Sequence, residues 1–241
     1  MEYLNFGGID SSIYGVYISS GGAFNAPERA VELIQIPGKN GSIIIEQGRY
    51  ENISITYPAG IFGTNKEKMA AKLKKFRNAL LSKTGYQRLW DSYNPFEFRL
   101  AAINNSIEVE GQCVNRHGSF DLIFNAKPQR FLVSGESFIS IASGKGITNP
   151  TPFNSKPLIH LVGYGQVSIG NYVFTISGST SMDMYIDCET MEAYSVSGGI
   201  ITSRNSLLAA STFPELVPGV SGITYAGTIT EFEIAPRWWI I

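Results

Sequence analysis

The feature that most restricts what this chain can become is a single helical stretch, residues 64–85 (TNKEKMAAKLKKFRNALLSKTG), in a sequence that otherwise reads as strand and turn. Thr64 followed by Glu67 has the form of a capping box, in which each side chain satisfies a backbone donor left free at a helix start. Met69, Leu73, Phe76 and Leu80 recur at steps of four, three and four, which aligns them on one helix face. Lys83 falls where the negative end of the helix dipole favours a cation, and Gly85 suits the left-handed conformation that stops a helix. One apolar stripe must be buried, and the only partner on offer is sheet. The predicted fold class is therefore mainly β, with one long helix packed on a β-meander or barrel-like sheet.

Charge divides the chain. Residues 1–130 hold 15 Lys and Arg against 12 Asp and Glu, whereas residues 131–241 hold 4 against 8, so the halves carry +3 and −4. Two domains are predicted, 1–130 and 131–241, the first closing near Pro128-Gln129-Arg130. Charged residues make up 16% of the chain, below the usual ~25%, which favours a surface that meets other subunits. Lys66, Lys68, Lys72, Lys74, Lys75, Arg77 and Lys83 cluster on or beside the helix, and we read them as a solvated face because overall basicity is absent.

Short alternating runs fill the rest. In the first half, strands are expected at 31–36, 43–47 and 52–57, then at 87–91, 96–103, 106–113 and 119–126. Pro37-Gly38-Lys39-Asn40-Gly41 forms a turn between the first two. Asn104-Asn105 and 115–118 read as hairpin connections. In the second half, short strands with Gly and Pro turns at close spacing indicate a β-sandwich or jelly roll. Met182, Met184, Ile186 and Cys188 alternate there with Asp183, Tyr185 and Asp187.

Catalytic chemistry has little to work with. His117 and His160 have no neighbour at metal or triad spacing, and no GxSxG, HExxH, Walker or GxGxxG pattern occurs. Glu108 with Glu110, and Asp183 with Asp187, share strand faces; such pairs serve glycosidases, but they are more often the wet side of a sheet. Cys113 and Cys188 show neither CxxC nor metal spacing, so buried thiols are expected. No signal peptide is expected, and no apolar run approaches the ~18 residues of a membrane span. A soluble protein made in the cytoplasm, without enzyme activity, metal or cofactor, is the expectation. Three classes stay open on residues alone: an assembly protein, a lectin-like sugar-binding module, or a hydrolase.

A series of motifs then points to a family. In the second half these are PLIHL at 157–161 with Gly163, IDCETMEAY at 186–194, FPELVPG at 213–219 and IAPRWW at 234–239. In the first half they are SIYGV at 12–16, IPGKNG at 36–41 and WDSYNP at 90–95. In this order they resemble the distal tail proteins (Dit family) of long-tailed, siphovirus-type bacteriophages or prophages; Ser221 stands where the family usually has Asn, a departure confined to a turn. The resemblance implies an N-terminal belt domain that closes into a homo-hexameric ring and a galectin-like β-sandwich that projects from it. It implies a baseplate hub in the virion, joining tail-tube protein to tail-tip protein and holding receptor-binding or baseplate proteins, with DNA passing through the channel and no membrane contact. The long insertions that add carbohydrate-binding modules in some relatives are missing.

A belt needs open sheet edges that a neighbour can pair. We assign them to the Ile-rich hairpin region, through Val31, Ile36, Pro37, Gly38, Gly41, Ile43, Ile45, Ile53 and Ile55. Arg237, Trp238 and Trp239 have two readings, a cap on the sandwich core or an anchor for a partner protein, and the core reading is adopted.

Overall fold

The computed structural model describes the chain except residues 20, 104, 111–116 and 211. Cys113 and half of the connection expected at 115–118 therefore lie outside the described residues, and His117 and Gly118 belong to a strand. The chain divides into two compact units, Met1–Arg130 with Ile241, and Phe131–Ile240.

The first unit is built on one antiparallel sheet. Its strands run in the order Ile9–Asp10, Leu4–Phe6, Gln87–Asp91, Glu97–Ala102, His117–Leu132, Ile53–Phe62 and Val16–Ile18, and Val109–Glu110 also pairs with His117–Leu132. Ile53–Phe62 alternates perfectly between buried and less buried positions, as does most of His117–Leu132 opposite it. That period of two gives the sheet one apolar face. On it lies Lys66–Leu81, the only α-helix among the described residues. Phe76 and Leu80 are fully buried, Met69 and Leu73 are partly buried against the same core, and Phe76 meets the rings of Tyr14 and Phe120. The predicted stripe is the packed stripe.

The helix ends differ from expectation. Asn65, not Thr64, is the N-cap: its side chain accepts a hydrogen bond from the Lys68 amide at 2.9 Å. Asn is among the strongest capping residues, and capping at 65 still leaves Glu67 in the first turn, where the dipole favours it. The helix stops at Leu81 with Ser82 as cap, so Lys83 lies beyond the last turn. Gly85 does take a left-handed φ, +68°.

The second unit is a β-sandwich. One sheet orders Ile139–Ser140, Glu231–Ala235, Leu158–Val162, Asp183–Asp187, Glu192–Ser197 and Ile200–Ser203; the other orders Lys145–Asn149, Gly219–Gly227, Gly165–Ile169, Tyr172–Ile176 and Leu208–Ala210. Inward residues of both sheets form one core, including Ile159, Leu161, Val167, Ile169, Phe174, Ile186 and Phe232. Met184, Ile186 and Cys188 face inward, as their alternation predicts, and burial raises the Cys188 thiol to about 12, which makes it inert.

Candidate assembly surface

One element of the first unit does not join its sheet. Among the described residues Arg29–Gln35 and Ser42–Tyr50 pair only with each other, as an antiparallel hairpin we call the arm. Its connection is the predicted turn: Pro37 fixes one φ, Gly38 and Gly41 take φ of +80° and +83°, and the Lys39 amide donates to the Ile36 carbonyl at 3.1 Å. Within the two strands Ala30 is buried and Tyr50 half-buried, and the rest are exposed.

The register shows why this exposure matters. Leu33 lies opposite Ile44 and Ile34 opposite Ile43, while Val31 and Ile45 face Glu46 and Glu32. Because successive residues point to opposite faces, Val31, Leu33 and Ile44 occupy one face and Ile34, Ile43 and Ile45 the other. Leu33 and Ile44 are 62% and 61% exposed, and Val31, Ile34, Ile36, Ile43 and Ile45 between 38% and 44%. An isolated two-stranded hairpin is marginal in water, and a contiguous apolar surface of this kind marks an interaction site. Both long edges of the arm are free of any strand pairing among the described residues, which leaves backbone donors and acceptors for another strand.

Seven of the residues assigned from sequence, Val31, Ile36, Pro37, Gly38, Gly41, Ile43 and Ile45, thus lie on the arm or its turn. Ile53 and Ile55 do not belong there. They are 8% and 1% exposed, in a strand flanked by neighbours on both sides, and their side chains fill the core of the first unit. The alternation of Ile53, Ile55 and Tyr57 expresses an inward face, and an inward face offers nothing to a neighbour.

The arm's root is held by polar groups that sequence reading missed. Glu51 donates its amide to the Glu28 carbonyl at 2.9 Å. Arg99 and Arg130, 6% and 8% exposed, both donate to the Asn25 carbonyl, at 2.8 and 3.3 Å. Arg99 also donates to the Pro128 carbonyl at 3.1 Å, and Arg130 to Glu97 at 3.3 Å. Burial, and then the like charge of Arg130, lower the Arg99 guanidinium to about 10. Close by, Tyr57 donates to Asp91 at 2.8 Å, and burial with that carboxylate raises the phenol above its ordinary range. The side-chain donors and their partners are 29 to 105 residues apart in sequence, so no local motif announces them.

The second unit places the remaining candidates in its own framework. Trp238 is 5% exposed in the sandwich core. Arg237, with φ of +54°, makes a two-pronged pair with Asp187 at 2.7 and 2.9 Å. Burial alone would raise the Asp187 carboxyl, but hydrogen bonding and charge from Arg237 and the amides of Glu189 and Thr190 hold it below its usual range. Trp239 stacks on Phe153 at 4.3 Å and donates to the Asn154 carbonyl at 2.8 Å. All three serve the framework, so Asp187 is an ion-pair member and not part of a wet carboxylate pair with Asp183.

Asp183 instead meets His160, whose two ring nitrogens sit 3.0 Å from Asp183 and 3.2 Å from Glu233. Tyr185 is stacked between His160 and Tyr194, so neither face of its ring is open to a sugar. Among the described residues no group of three His, Cys, Asp or Glu is placed to hold a metal, and no helix is long and apolar enough to cross a membrane. In the first unit Glu108 accepts from Ser106 at 3.2 Å and lines an open, polar cavity of about 700 Å³ with Pro58, Ser119 and Asp121. Lys66, Lys68, Lys72, Lys74, Lys75 and Arg77 are exposed, the solvated face read from sequence.

Comparison with known proteins fits this architecture. Residues 10–126, just under half of the chain, match the family described as phage tail protein RIFT-related domain. The Dit protein (gp 19.1) of phage SPP1, described as a paradigm of the hub adsorption apparatus of phages infecting Gram-positive hosts, superposes with a TM-score of 0.74 at 10% identity, covering 100% of both chains. Chains of the phage P2 baseplate in its activated conformation, with calcium and with strontium, give TM-scores of 0.59 and 0.58 at 13% identity and 97% coverage of each chain. No curated protein sequence matches. The first unit is thus similar to the phage tail protein RIFT-related domain, in a chain that has the fold of the SPP1 Dit protein over its whole length.

Proposed function

We propose that this chain is a structural protein of a phage tail, the hub at its distal end, and that copies assemble through the arm. The observation that carries the reading is the arm itself: a hairpin apolar on both faces, with free edges, that its own unit leaves exposed. A neighbouring copy that receives it would cover both faces and pair an edge. Six copies closing in a ring would leave no arm unpaired, as rotational symmetry allows. In this reading the ring sits between tail-tube protein and tail-tip protein, DNA traverses its channel, and the sandwich units carry the receptor-binding or baseplate components. The family match to the first unit and the fold match to a hub protein support that place in the virion. Nothing in the geometry favours the lectin-like alternative, since Trp238 is buried and the Tyr185 faces are covered.

Immunogold labelling of the assembled particles with antibody to this chain tests the assignment. Gold confined to the distal end of the tail is expected. Gold spaced along the tube, or on the capsid, would contradict it.

A further inference from the structure

The arm works as a connector only if it leaves the body in one direction, and an isolated hairpin on a loose hinge would not. We propose that Arg99, Arg130 and Asn52 are positioning residues that fix this direction, an inference that rests on the arm being the connector. The first strand is approached through Asn25, whose carbonyl receives both guanidinium groups, four residues before Arg29. Arg99 ties that same point to the Pro128 carbonyl, in the long central strand. On the return side, the Asn52 side-chain amide donates to the Tyr86 hydroxyl at 2.6 Å and to the Asn125 side-chain oxygen at 2.7 Å. The Glu28–Glu51 backbone bond closes the root between the two grips. Both strands of the arm are therefore clamped where they leave the body.

The chemistry argues for placement over bulk stability. Two neighbouring guanidinium groups, each over nine-tenths buried, repel one another and resist desolvation, and buried charged groups of this kind are often no more stabilising than apolar ones of the same size. What a planar fork supplies and an apolar side chain cannot is direction, since its donors meet carbonyls only in one orientation. Arg99→Met keeps much of the volume and Arg99→Lys keeps the charge; both lose the fork.

The test is a distance between spin labels at Lys39→Cys, in the arm's turn, and Lys75→Cys, on the exposed side of the helix, in a Cys113→Ser background, with labelled chains diluted in unlabelled ones. The wild-type arm is expected to give one narrow distance distribution. Arg99→Met and Arg99→Lys are expected to broaden it at least twofold, and Asn52→Ala by a smaller factor. An unchanged width in folded Arg99 variants would overturn the proposal. If those variants fail to fold, Asn52→Ala decides, because Asn52 is exposed and its loss spares the core; an unchanged width there overturns the proposal equally. The distances are recorded at concentrations where the chain is monomeric, so failure of the ring reading would show separately, as a wild-type chain that stays monomeric at every concentration.

Discussion

Ile45→Lys isolates the arm's contribution to assembly. Ile45 is 44% exposed and lies opposite Glu32, so a lysine there gains a cross-strand partner of opposite charge and leaves the hairpin's own pairing intact. Fully burying an Ile, Leu or Val side chain is worth roughly 1.5–3 kcal/mol, so the half still exposed on each of the arm's seven apolar residues represents about 1 kcal/mol. One seated arm then gains roughly 7 kcal/mol before the cost of association, which is of similar size. Little surplus remains, and small losses become visible. Ile45→Lys removes about 1 kcal/mol of burial and adds the desolvation of an ammonium group, softened by snorkelling of the long side chain. We expect a loss of about 3 kcal/mol per arm, which weakens each contact by about two decades. The assay is mass by light scattering across a concentration series, with circular dichroism to follow folding. The variant is expected to dissociate where wild type stays assembled, and to melt with wild type at concentrations where both are monomeric, because the side chain touches no core. Ile45→Val serves as the near-neutral control. Assemblies of Ile45→Lys as stable as wild type would remove the arm's face from the interface and refute the reasoning.

Other outcomes follow from the two cores. Phe76→Ala empties the fully buried centre of the helix stripe and is expected to cost about 3–5 kcal/mol in chemical denaturation; a cost below 1 kcal/mol would mean that the helix is not anchored there. Gly165→Ala places a methyl group 1.9 Å from the Ala226 carbonyl oxygen at a φ of +146°, so we expect about 3 kcal/mol of destabilisation and a clear drop in melting temperature; an unchanged transition would refute the close approach of these strands. Asp187 has a carboxyl held below its unfolded value of ~3.9, so its pairing with Arg237 stabilises the fold above about pH 4 and is lost as pH falls through the lower folded value. Asp187→Asn should accordingly reduce stability at pH 7 and flatten the acid limb of the stability curve; an acid limb identical to wild type would assign that limb to other groups.

How far the residues themselves disclose this molecule depends on the range of the interactions involved. The stripe of Met69, Leu73, Phe76 and Leu80 is local, and the helix packs by it. The turn at Pro37–Gly41 is likewise written in adjacent residues, because the φ it needs is a property of the glycines. Alternation showed Ile53 and Ile55 to be strand residues but not which side they serve. Ile43 and Ile45 have the same pattern and lie outside, because the core beneath the helix packs against one set and nothing among the described residues covers the other. The capping-box spacing to Glu67 selects Thr64, but the next residue, Asn65, is at least as good a cap and takes the position without that spacing. The root of the arm was illegible for a plainer reason. Arg99 and Arg130 act on backbone carbonyls, which every residue carries, so no residue type marks the partner. Asp187 was misread as solvated for a different cause: its side-chain partner, Arg237, lies 50 residues away.

The most direct test of the central claim is the mass of the purified chain in solution, with negative-stain images of the same peak. The account predicts a closed six-fold ring with a central hole, in equilibrium with monomer and shifted to monomer by Ile45→Lys. A wild-type chain that remains monomeric both alone and in the presence of its tail-tube and tail-tip partners would contradict it.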